Sequence, residues 1–104
     1  MARSRTRVRR SRGNLFRDLG FPAHEAQHLL VRSNLMVRLE QEITSRGLTQ
    51  AAAAKQLGVS QPRVSNLRRG RIELFSSDAL IDMLARLGVR VRLVAPPAGR
   101  RQVA

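Results

Sequence analysis

The stretch Leu48–Gly70, LTQAAAAKQLGVSQPRVSNLRRG, most constrains what this chain can become. Thr49 is a good N-cap, because its hydroxyl can accept a backbone N–H of the first helical turn. Ala51–Gln56 has high helix propensity. Gly58 stands where a helix needs a left-handed stop residue. Ser60 then caps a second helix, Gln61–Arg69, in which Pro62 is tolerated because it lies in the first turn. Gly70 ends that helix. Ala53, Ala54 and Leu57 form one buried face, Val64 and Leu67 the other, and Val59 in the turn plugs the angle between them. Ala54 is small, as a close helix crossing requires.

Two short helices joined by the turn Gly58-Val59-Ser60-Gln61 make a helix-turn-helix, a motif whose second helix lies in the DNA major groove. Thr49-Gln50, Ala54, Gly58-Val59-Ser60-Gln61, Val64-Ser65 and Gly70 resemble the Cro/CI-type (XRE) regulators. A wider resemblance covers Asn14–Ala95. Here Asn14-Leu15-Phe16-Arg17-Asp18-Leu19-Gly20-Phe21, a long helix, the motif, a further helix and a terminal strand look like the HigA-like antitoxin subgroup. The resemblance implies an all-α, lambda-repressor-like bundle. It also implies a repressor that neutralises a small RNA-cleaving toxin, or else a phage- or plasmid-type regulator without a toxin.

Charge supports a polyanionic partner. The net charge is +13, and it is unevenly placed. Residues 1–12 carry six Arg and no acid. Residues 43–72 carry Arg46, Lys55, Arg63, Arg68, Arg69 and Arg71, again with no acid. The second run coincides with the motif, and nucleic acid is the natural partner. With 104 residues there is room for one small domain plus tails. The three aromatic residues are all Phe, so the core must be largely aliphatic. Without Cys there are no disulfides or thiolate metal sites. No apolar run approaches a membrane span, and no apolar region follows the basic N-terminus to make a secretory signal. The expected setting is the cytoplasm, on nucleoid DNA.

Three regions are expected: a disordered Arg-rich tail over 1–13, the folded domain over 14–95, and a flexible basic tail over 96–104. Pro22–Arg46 reads as one long helix, or as two joined near Ser33-Asn34, with Met36, Leu39 and Ile43 on its buried face. Ile72, Leu74 and Phe75 fold back on the core. Ser76 caps a helix over Ser77–Leu87, with Phe75 and Leu80 as a hydrophobic staple. Val89–Val94 alternates apolar and basic, the pattern of a half-buried strand. No second strand is evident in the chain, so Val89, Val91 and Leu93 are expected to pair with a second copy in a homodimer.

His24-Glu25-Ala26-Gln27-His28 matches H-E-x-x-H, the zinc-protease pattern. These are the only two His, and the chain is too short for a substrate cleft. Solvated histidines flanking an acid that suits a helix start account for it better. No metal, cofactor or catalytic set is expected.

The face of the second motif helix opposite Val64 and Leu67 carries Pro62, Ser65, Asn66 and Arg69, and Gln61 projects from its start. The resemblance makes Gln61, Pro62 and Asn66 the base-reading positions of an inverted-repeat operator, with Arg63, Ser65 and Arg69 beside them. Gln and Asn can bond adenine bidentately, Arg can reach guanine, and Pro62 offers only an apolar contact. By the same resemblance Gln50 and the free N–H groups of its helix clamp a phosphate. Thr49, Lys55, Ser60, Arg68 and Arg71 are the other phosphate candidates. Leu15, Phe16, Leu19 and Phe21 are too apolar for a free tail. They are expected to dock on the chain's own helices or, as the resemblance suggests, on the toxin.

Overall fold

A computed structural model describes Phe16 and residues 18–95. The tails expected over 1–13 and 96–104, and Leu15, lie outside the described residues. The first long element, α1, spans Ala23–Ser45 as one continuous helix. Ser33 and Asn34 interrupt its apolar pattern without breaking it. Pro22 precedes the first turn, where its missing N–H costs nothing, and Glu25 places negative charge near the N-terminus. The last turn closes when Gly47 N–H bonds Thr44 O at 3.0 Å and Leu48 N–H bonds Ile43 O at 3.1 Å. This pair of bonds satisfies carbonyls that the helix leaves open.

Helix α2, Gln50–Leu57, begins where Thr49 Oγ1 accepts Ala52 N–H at 3.1 Å. Gly58 ends it at φ +71°, a conformation costly for any residue with a Cβ. Helix α3, Gln61–Arg68, begins where Ser60 Oγ accepts Arg63 N–H at 3.3 Å. A 3-10 turn, Ile72–Leu74, leads to Phe75. Helix α4, Ser77–Arg86, begins where Ser76 Oγ accepts Ala79 N–H at 3.1 Å.

Among the described residues the architecture is all-helical. Helix α1 packs most extensively on α4, and α2 on α3. Leu39, Ile43, Leu57, Val64, Leu67, Phe75, Leu80 and Leu84 are fully buried where these elements meet. Each such side chain contributes about 1.5–3 kcal/mol by leaving water. Ala53 and Ala54 allow α2 and α3 to approach closely, and Val59 is packed against the same cluster. Leu35 and Met83, not singled out from the pattern, are also buried in it.

Two expectations are corrected. Leu74 does not fold back; it is 42% exposed, while Phe75 is 1% exposed. A 3-10 turn repeats every three residues, so Ile72 and Phe75 share the inner side and Leu74 faces outward. The segment Val89–Ala95 forms no strand among the described residues. A strand needs a neighbouring ladder to satisfy its backbone, and these residues provide none. The alternation survives in part: Val89 and Val91 are half-buried against the core, and Arg90 and Arg92 are exposed. Leu93 and Val94 break it, at 67% and 80% exposed.

Candidate nucleic-acid interface

The buried side of α3 is fixed by Val64 and Leu67, each 1% exposed. At 100° per residue this turns Pro62, Asn66 and Arg69 outward, with Ser65 beside them. Gln61, Pro62 and Arg69 are exposed; Ser65 and Asn66 are half-buried. One helix face therefore presents an amide, an apolar ring, a hydroxyl, a second amide and a guanidinium. These groups suit base edges in a groove.

Arg63 lies on the flank of that face, and its side chain is committed elsewhere. Its Nη1 donates to Leu74 O at 2.9 Å. Its guanidinium carbon lies 4.2 Å from the centroid of the Phe75 ring. The structure thus turns Arg63 toward the 3-10 turn instead of outward with Pro62 and Asn66. It ties the start of α3 to the segment entering α4. Arg63 and Phe75 are far apart in sequence, and no local pattern signals their contact.

The phosphate candidates divide into three groups. Thr49 and Ser60 use a hydroxyl lone pair in capping, which leaves each O–H free to donate. Gln50 is exposed at the first position of α2, where backbone N–H groups lack helical acceptors. Lys55 is exposed on the last turn of α2. Lys55 and Arg69 have no acidic partner among the described residues. Arg68 and Arg71 do: Arg68 Nε lies 3.2 Å from Glu40 Oε1, and Arg71 Nε 2.8 Å from Glu73 Oε2. The hydrogen bond from Arg71, helped by the residue's own backbone N–H, holds the Glu73 carboxyl below its ordinary range. Glu40 and Glu73 were not anticipated as part of this surface.

Arg46 serves the fold. Its Nη2 donates to Leu87 O at 2.7 Å, joining the ends of α1 and α4. Glu42 sits between Arg38 and Arg46, each one helical turn away. The Arg38 hydrogen bond, then that of Arg46, holds the Glu42 carboxyl low. The sequence analysis did not single out this trio, although its i, i+4 spacing is the local signal that could have found it.

Phe16 is half-buried and lines a groove with Met36, Val37, Leu67, Arg68 and Ile72. Its ring meets Phe21 edge-on, with centroids 6.2 Å apart, and Phe21 N–H bonds Phe16 O at 3.2 Å. Phe21 is 38% exposed and Leu19 65%. The N-terminal cluster is thus partly docked on the chain's own helices and partly open. His24 and His28 are exposed on α1, and no group of three or more His, Cys, Asp or Glu placed to hold a metal occurs among the described residues. No helix among the described residues is long and apolar enough to cross a membrane.

Capped helices, a left-handed glycine turn and an outward polar face on α3 define a helix-turn-helix protein. A family described as "Helix-turn-helix domain" matches residues 15–95. A solved structure described as "Putative XRE Family Transcriptional Regulator" is 36% identical, with a TM-score of 0.68 over 73% of this chain and 85% of that one. No curated protein matches the chain. The chain belongs to the XRE-type helix-turn-helix regulators, proteins of DNA-binding transcriptional control.

Proposed function

We propose that the protein is a sequence-specific repressor that binds an inverted-repeat operator as a homodimer and serves as the antitoxin of a toxin–antitoxin pair, acting on nucleoid DNA in the cytoplasm. The observation that carries the repressor reading is the outward face of α3, where Gln61, Pro62 and Arg69 are exposed beside Asn66. Two such helices related by a two-fold axis would meet successive major grooves about 34–36 Å apart. The dimer reading is supported by Leu93 and Val94, apolar side chains that stay exposed at the end of this segment. A second copy pairing antiparallel over Val89, Val91 and Leu93 would supply the missing ladder and cover both edges.

The antitoxin reading is supported by Leu19 and Phe21, apolar side chains left open next to the half-docked Phe16. A small RNA-cleaving toxin encoded next to this gene would bind there. One observation favours the second reading, a phage- or plasmid-type regulator without a toxin: Phe16 already has a seat on its own chain. Neither reading involves catalysis, a metal or a cofactor.

The test is co-purification with the neighbouring gene product, followed by an operator gel shift. Deletion of residues 1–13 should leave toxin capture intact and weaken non-specific DNA binding. Deletion through Phe21 should weaken capture while operator recognition survives. If full-length protein captures nothing, or the deletion through Phe21 captures toxin as well as wild type, the docking surface is wrong.

A further inference from the structure

The cations of α2, of the C-terminal end of α3 and of the turn after it are not equivalent. Lys55 and Arg69 point into solvent without an acidic partner among the described residues. Arg68 and Arg71, which bracket Arg69 and Gly70, each face a carboxylate at 3.2 Å and 2.8 Å. Those carboxylates come from just outside the acid-free run: Glu40 from α1 and Glu73 from the 3-10 turn. A carboxylate against a guanidinium occupies the position that a phosphate oxygen would take, because the same N–H groups serve both.

We propose that Glu40 and Glu73 are internal stand-ins for DNA phosphate, holding Arg68 and Arg71 in place and withdrawing them from non-specific binding. The two pairs are graded. Arg71 and Glu73 are 49% and 57% exposed, so their pair is a weak surface contact that a phosphate can exchange. Arg68 and Glu40 are 33% and 35% exposed. Glu40 Oε1 is itself buried and makes no hydrogen bond, so the Arg68 cation is what compensates it. That pair yields less readily.

Non-specific affinity is set mainly by how many phosphates the protein neutralises. Masking two arginines lowers that count and leaves the base-reading amides untouched. The ratio of operator binding to random-DNA binding rises as a result. This inference rests on α3 being the DNA-facing helix.

The experiment is fluorescence anisotropy of the full-length protein on a random-sequence duplex, over a series of salt concentrations. Glu73→Gln should tighten binding at low salt by up to about fivefold, the limit for an exposed pair, and steepen the salt dependence by about one counterion per subunit. Glu40→Gln should tighten it less. Glu25→Gln, which removes an exposed acid at the far end of α1, controls for the change in net charge. In an Arg71→Ala background, Glu73→Gln should add no more than Glu25→Gln does. The inference is overturned if Glu73→Gln matches Glu25→Gln, or if its gain persists without Arg71. Lys55→Ala and Arg69→Ala keep the two readings separable. If both weaken binding and Glu73→Gln is silent, only the stand-in role fails. If neither weakens binding, the DNA-facing assignment of α3 fails, and this inference with it.

Discussion

Arg63→Ala should destabilise the fold far more than it harms DNA recognition. The substitution removes two interactions. The first is the cation over the Phe75 ring at 4.2 Å, worth about 0.5–2 kcal/mol as such contacts become desolvated. The second is the 2.9 Å bond from Nη1 to Leu74 O, about 1 kcal/mol once its exposure is allowed for. Arg and Ala differ little in helix propensity, so the helix itself offsets almost nothing. The expected loss is roughly 1.5–3 kcal/mol. For a domain of this size each kcal/mol shifts Tm by about 4–8 °C. Urea or thermal unfolding followed by far-UV circular dichroism measures it, since the chain has no Trp or Tyr for fluorescence. Arg63→Lys should fall between, keeping a cation but losing the planar fork. A double-mutant cycle with Phe75→Leu should show a coupling of about 0.5–1.5 kcal/mol. Operator affinity measured well below the transition should change little. A loss under about 0.5 kcal/mol, or a large specific affinity loss in a fully folded variant, would falsify the clamp and return Arg63 to the reading face.

Other substitutions give separable outcomes. Gln61→Ala or Asn66→Ala should each cost roughly 1–3 kcal/mol of operator affinity and relax discrimination at particular base pairs, as a gel shift against single-base operator variants would show. Lys55→Ala should weaken all sequences alike and reduce the salt dependence by about one counterion. Glu42 has its pKa lowered from 4.5 by Arg38 and Arg46. Its contribution to stability is therefore present above about pH 4.5 and is lost as pH falls through the lower, folded value. Glu42→Gln should lower the neutral plateau and flatten the acid limb of the stability–pH curve. Truncation before Val89 should give monomers by light scattering at low micromolar concentration. A truncated protein that still dimerises would place the interface elsewhere.

What the sequence made legible was local. Thr49, Ser60 and Ser76 read as caps from their spacing, and each hydroxyl accepts the N–H three residues on. The buried stripes of Met36, Leu39 and Ile43, and of Leu80 and Leu84, follow from helical period and are found in the core. Leu74 departs from expectation because composition does not announce a 3-10 turn. The alternation of Val89–Val94 tells which side is buried, not what pairs with the backbone, and so it suggests a strand that the described residues do not form. The fates of Arg63 and Arg68 depend on where other elements place Phe75 and Glu40, whereas Arg71 meets Glu73 only two residues on. The side chains of Arg63 and Arg68 look equally available in a one-dimensional reading, yet each is held by a residue from another element.

The groove that seats Phe16 is shared with Leu67 and Arg68 from the end of α3. A molecule that drew Phe16 out of it would alter one wall of the proposed reading helix while leaving every residue of its outward face in place. Two ligands that meet through a common side chain cannot have independent affinities unless that side chain is indifferent to both. Linkage then runs in both directions with the same factor: whatever the N-terminal ligand does to operator affinity, the operator does to the affinity for that ligand.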